Sequence, residues 1–236
     1  MNKKVQYQIL LIILVIIVII NLSIIIGNVS KNDGNIYNVT KIGGNANGKV
    51  YKIIAGDNSS NETVGIILGV HPREHEIHEA INKTIYDITQ DNSSQFLNKK
   101  YVIYYIKTKS SITSHDATRA AGEELANKFI VPNIIKDDPF IVVDVHEINP
   151  EYEYSNFIFT LSDRNDKVDS YISKIVKDVG VVDFEFDEGT SPKKVTKPIA
   201  NSGIDTFLME VDITSNLTHK QHTAEKLIKS LDSLSP

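Results

Sequence analysis

The sequence predicts an α/β fold, a mixed or mainly parallel central sheet flanked by helices. Three observations carry that expectation. Short β-branched runs alternate along the chain with amphipathic stretches of helical period. Several of those runs, Phe140–Val145 among them, are continuously apolar, as strands are when helices cover both faces of a sheet. With the apolar N-terminus set aside, about 200 residues remain, enough for one buried core and not obviously for two.

Taken in order, residues 1–27 are expected to form a transmembrane anchor. Lys3 and Lys4 precede an Ile/Leu/Val run from Ile9 to Ile26 that only Asn21 and Ser23 interrupt. At 1.5 Å per residue such a run just spans a hydrocarbon core of about 30 Å. A cleaved signal peptide competes, but it usually has a shorter apolar region and small residues at its cleavage site. The two lysines place the N-terminus in the cytoplasm by the positive-inside rule, so the expected location is the cell membrane, single-pass, with the remainder extracytoplasmic. Several N-x-S/T triplets between Asn28 and Asn216 suit a glycosylating compartment. Residues 28–48, rich in Asn, Gly, Ser and Lys, read as a linker, and residues 49–236 as the folded domain.

Within that domain Val50–Ala55 and Val64–Val70 read as a pair of strands joined by a polar turn. A helix follows over Glu74–Gln90, a strand over Tyr101–Thr108 and a helix over His115–Phe129. Strands are expected at Phe140–Val145 and Asn156–Leu161, a helix at Asp166–Val179, and a short strand at Val181–Phe186. A loop over Asp187–Ala200 leads to a strand at Thr206–Ile213 and an amphipathic helix at His219–Leu231.

Composition narrows the chemistry. There is no cysteine, so disulfides, thiol nucleophiles and thiolate metal sites are excluded, and a transition metal must be held by imidazole and carboxylate. A net charge of −5 without a long Lys/Arg block lacks the basic footprint of a nucleic-acid partner.

Open α/β sheets bind ligands at the carboxyl ends of their strands. Three runs deliver polar residues there: Gly65–Val70 leads into His71-Pro-Arg-Glu74, Phe140–Val145 into His146-Glu147, and Thr206–Met209 into Glu210. Catalytic zinc typically takes three protein ligands, with two histidines and a glutamate a known set. His71 and Glu74, three apart across a strand-to-helix turn, together with His146, satisfy it. Glu210 is then a spare carboxylate, placed to take a proton from water and pass it to a leaving amine.

The segment Gly69-Val-His-Pro-Arg-Glu-His75 resembles the H-x-x-E turn of the zinc carboxypeptidase superfamily, which includes the succinylglutamate desuccinylase and aspartoacylase group. The resemblance spans roughly Val64 to Ile213 and keeps the chain order of His71, Glu74, His146 and Glu210. It implies a zinc cofactor on the first three, Glu210 as general base, and hydrolysis of an amide bond beside a carboxylate. A departure accompanies it: the family's D-L-N-R-like segment has its nearest counterpart at Gly122–Phe129, which lacks the arginine. Arg119, just upstream, is the remaining cation for a substrate carboxylate. The loop before Glu210 also has no tyrosine where carboxypeptidases often place one.

The remaining ionisable residues have plainer readings. His75-Glu-Ile-His78 has its histidines three apart, not the four of an H-E-x-x-H helix, and reads as a solvated helix face. Asp144 shares a strand face with His146 and is expected beside the metal, while Glu147 reads equally as an exposed charge. His115, His219 and His222 read as surface residues, and Asp183, Glu185, Asp187 and Glu188 as a half-exposed strand rather than a calcium site. The function expected is a peptidase or amidohydrolase acting on peptides or cell-wall peptide stems. An N-acyl amino acid deacylase and a non-catalytic ligand-binding surface domain are the alternatives.

Overall fold

A computed structural model describes residues 35–90, 96–186 and 191–236. Among the described residues eight strands form one sheet: β1 (Asn35–Asn45), β2 (Gly48–Asp57), β3 (Thr63–Leu68), β4 (Lys100–Thr108), β5 (Ile141–Ile148), β6 (Phe157–Thr160), β7 (Val182–Asp183) and β8 (Asp205–Asp212). Their spatial order is β1-β2-β4-β3-β5-β8-β6-β7. The four central strands β4, β3, β5 and β8 run parallel, whereas β1 and β2 join antiparallel on one side and β6 on the other. The sheet is therefore mixed, as expected.

Helices cover both faces. Against one face pack α1 (His75–Gln90), α4 (Asp166–Val179) and α6 (Leu217–Asp232), burying Ile77, Ile81 and Ile85, Ile172 and Ile175, and Leu227 and Ile228. Against the other pack α2 (His115–Leu125), α3 (Val131–Asp137) and the short α5 (Lys197–Ala200), through Leu125, Ile134 and Ile199. Every residue of β5 is buried, so its sequence shows no alternation, yet its side chains divide by parity. Val143 and Val145 enter the first core, and Val142 the second.

Four expectations are corrected. The span at Ile9–Ile26 lies outside the described residues, and among the described residues no helix is long and apolar enough to cross a membrane. The single-pass cell-membrane location is withdrawn on that finding. The expected linker, residues 28–48, contains β1, which pairs with β2 along its length. β1 lies at the edge of the sheet with Asn38–Lys41 exposed, so it has no apolar stripe to betray it. The strands β2 and β3 are consecutive but not neighbours, because β4 lies between them. Finally, residues 191–200 of the expected Asp187–Ala200 loop are helical: a π turn at Pro192–Thr196 leads into α5. A second π turn, Ala126–Ile130, carries the helix expected to end at Phe129 onward into α3. Residues 187–190 lie outside the described residues.

Candidate metal centre

The strand ends behave as the sheet topology requires. β3 stops at Leu68, and Gly69 follows with φ +81°, a left-handed conformation that L side chains rarely adopt. A Cβ on Gly69 would also lie 2.4 Å from the Ile106 carbonyl oxygen. The chain then turns through His71 to Glu74, closed by a hydrogen bond from the Glu74 N–H to the His71 carbonyl at 3.1 Å. α1 starts one residue later. Its Ile77 N–H donates to Glu147 Oε1 at 2.9 Å, so a buried carboxylate at the end of β5 caps the positive helix terminus. Lys220 of α6, whose side chain is fully buried, neutralises that carboxylate at 2.9 Å. Glu147 is therefore a structural anchor rather than an exposed charge.

His146 and Glu210 are register partners on the parallel strands β5 and β8, so both project from the same face. His71, Glu74 and His146 form a buried group whose donor atoms all lie within 4.8 Å of one another. His71 Nδ1 is 3.0 Å from Glu74 Oε1, His146 Nδ1 is 2.9 Å from Glu74 Oε2, and the two Nδ1 atoms are 3.0 Å apart. Lone pairs facing one another at these separations are relieved only by a proton or a cation between them.

Each imidazole turns its other nitrogen to a buried carboxylate. His146 Nε2 is 3.1 Å from Asp144 Oδ1, and His71 Nε2 is 3.3 Å from Glu123 Oε1. A carboxylate behind a metal-binding histidine fixes its ring and raises its basicity. The donor set therefore fits a divalent transition metal, with zinc the usual choice for two histidines and a glutamate.

The electrostatics agree. Burial disfavours the charged Glu74, but hydrogen bonds and charge from His146 and His71 outweigh it and hold its carboxyl well below the ordinary range. Burial opposes the charged His146 as well, yet the Asp144 and Glu74 carboxylates hold its pKa well above the usual value. Protons held in this way are the ones a bound cation displaces. Glu210 differs. Burial, with the Glu74 and Asp144 charges adding and His146 and Arg119 opposing, pushes it from 4.5 up to about 8. Its Oε2 is buried without a hydrogen-bond partner.

A cleft of about 480 Å³ opens over the group. Its lining includes the cations Arg73 and Arg119, with His115, and the apolar and aromatic side chains Ile148, Tyr152 and Phe186. The structure brings all five singled-out residues together: His71, Glu74, His146 and Glu210 line this cleft with Arg119, whose Nη1 donates to Glu74 Oε1 at 2.9 Å. Arg119 thus touches a member of the metal group, a contact its spacing did not reveal. Asp144 lies beside His146, as its parity predicted.

Other residues escaped sequence reasoning. Glu123 lies in the segment read only for its missing arginine, and Ser191 lies in the supposed loop with its Oγ 3.4 Å from His146 Nε2. His78, read as part of a solvated face, is buried: its Nε2 donates to the Val145 carbonyl at 2.8 Å, and burial lowers its pKa to about 4, so it is neutral. The period of α1 could have shown this, since His78 lies three and seven residues before Ile81 and Ile85 and falls on their buried face. His219 and His222 are exposed as expected, while His115 is exposed but lines the cleft.

Fold and site together define an α/β domain with a buried His-Glu-His group, suited to a metal ion, at the carboxyl edge of its sheet. No family model matches the sequence and no curated protein matches it, but solved structures do. A candidate carboxypeptidase A from Shewanella denitrificans OS-217 is 12% identical, with a TM-score of 0.59 over 87% of this chain and 66% of the other. The cell shape determinant Csd4 from Helicobacter pylori, solved with a bound tripeptide, is 11% identical, with a TM-score of 0.51 over 77% of this chain and 54% of its own. The succinylglutamate desuccinylase from Chromobacterium violaceum is 12% identical, with a TM-score of 0.50 over 89% and 76%. The chain spans less than two thirds of the length of the first two. At such identities the likeness establishes the fold alone, one this chain shares with these carboxypeptidase-type and desuccinylase structures, as the sequence resemblance implied.

Proposed function

We propose that this chain is a zinc-dependent hydrolase that cleaves an amide bond beside a carboxylate in a peptide or an acyl amino acid. The observation that supports it most is the inward convergence of His71 Nδ1, His146 Nδ1 and the Glu74 carboxylate, each imidazole backed by a carboxylate. These three residues would hold a zinc ion, which when bound would supply Lewis acidity toward a carbonyl and lower the pKa of water.

The rest of the chemistry belongs to the protein. Glu210, with a pKa near 8 and an unpartnered Oε2 in the cleft, is the general base that takes a proton from water and returns it to the leaving amine. A neighbouring cation would favour its ionised form. Arg119 spends one N–H on Glu74 and has others for a substrate carboxylate. Ile148, Tyr152 and Phe186 exclude water from one side and receive the apolar part of the substrate. The tripeptide bound to Csd4 and the activity named for the desuccinylase bracket the substrates to be tried.

The test is a panel of N-acetyl and N-succinyl amino acids, tripeptides and cell-wall stem peptides, each with its C-terminally amidated counterpart, incubated with the zinc-loaded chain. The free acids should be hydrolysed, chelation should stop the reaction, and Glu210→Gln should slow it roughly 10²–10⁴-fold. Arg119→Met should raise KM for the free acids more than for the amides. Tight zinc binding with no hydrolysis of any member would favour a ligand-binding domain.

A further inference from the structure

The two carboxylates behind the histidines are themselves held from one place. Lys194 Nζ donates to Glu123 Oε2 at 2.6 Å, and Thr196 Oγ1 donates to Asp144 Oδ2 at 2.8 Å. Two chains result, Lys194–Glu123–His71 and Thr196–Asp144–His146, and both begin in the π turn Pro192–Thr196.

The turn is fixed in its own right. Val195 is buried in the second core, Asn127 Nδ2 donates to the Lys194 carbonyl at 2.7 Å, and the Lys197 N–H closes the turn onto the Pro192 carbonyl. π turns are rare, occur mostly as single turns within helices, and are frequent at functional sites. Thr196 and Asp144 are both completely buried, and a hydroxyl there gives Oδ2 a hydrogen bond while Oδ1 lies 3.1 Å from His146 Nε2 as a charge contact without one. Glu123 is also buried, and Lys194 supplies it with a positive charge from the rim.

We propose that Lys194 and Thr196 are positioning residues: through Glu123 and Asp144 they orient His71 and His146, so that one short turn sets the metal affinity of the site. This rests on the metal-dependent reading above, and neither residue touches substrate or metal.

The test is competition for zinc between the purified chain and a chromogenic chelator, for wild type, Lys194→Met, Thr196→Val and the exposed neighbour Lys193→Met as control. Lys194→Met and Thr196→Val should each weaken zinc binding by up to roughly 10-fold, the lower end of the range for a lost direct partner of a metal ligand, because each acts through one intervening carboxylate. Lys193→Met should leave it unchanged. Thr196→Ser, which keeps the hydroxyl, and Lys194→Arg, which keeps the charge, should restore most of the loss. The visible spectrum of the cobalt-substituted protein should shift in the two weakened variants and not in the rescued ones. Should Thr196→Val fail to fold, Lys194→Met, altered only at the exposed rim, carries the test. Wild-type affinity and cobalt spectrum in Lys194→Met, or in a folded Thr196→Val, would overturn the proposal and leave the metal site standing. A wild-type chain that takes up no zinc would overturn both.

Discussion

Replacing Glu210 by Gln should change how stability depends on pH, by an amount that follows from its burial. Its folded pKa is about 8 against 4.5 for the free side chain. Between those values the folded state holds a proton that the unfolded chain has released, so stability falls as pH rises. The contribution is full below 4.5 and lost once pH passes about 8, a total of roughly 5 kcal/mol at about 1.4 kcal/mol per pH unit. Most of it, roughly 3–4 kcal/mol, falls between pH 5 and pH 8. The glutamine variant does not titrate. Urea denaturation of chelator-treated protein at the two pH values should therefore show wild type losing that much more stability than Glu210→Gln on going from pH 5 to pH 8. Ionisable groups remote from the site cancel between the two proteins, whereas His146, Glu74 and Asp144 interact with Glu210, so the difference read is that of this coupled group. A difference within about 1 kcal/mol would refute the claim that burial holds a proton on Glu210.

Gly122 of α2 faces the Val70 carbonyl so closely that a Cβ would lie 1.9 Å from its oxygen, immediately before His71. Gly122→Ala should push α2 away, lower stability by about 1–3 kcal/mol and weaken zinc binding because Arg119 and Glu123 move with the helix. An unchanged melting temperature and affinity would contradict this. Lys220→Met should cost about 3–5 kcal/mol by leaving the buried Glu147 uncompensated, read by urea denaturation. Lys220→Met with Glu147→Gln should recover much of it, and failure to do so would show that the pair is not what the substitution breaks.

The centre of the molecule was legible in the sequence because parallel strands buried on both faces leave continuous apolar runs, and polar residues at their ends stand out. His71, Glu74, His146 and Glu210 were found that way, and Asp144 from period-two parity with His146. The edges were less legible. β1 is half-exposed and rich in asparagine and glycine, so pairing with β2 alone makes it a strand. The turn at Pro192–Thr196 looked like a loop because Gly189, Pro192, Thr196 and Pro198 are poor helix formers, and tertiary contacts override them. Glu123 and Lys220 are charged side chains buried through partners 71 and 73 residues away along the chain, which no local pattern announces.

The measurement that bears most directly on the metal site is elemental analysis of the purified chain, as wild type and as His71→Ala. One zinc per wild-type chain, absent from the variant and not restored by added zinc, is the predicted result. No metal in wild type and no uptake from added zinc would contradict it, and the cluster of His71, Glu74 and His146 would then be a buried proton-sharing network of the fold.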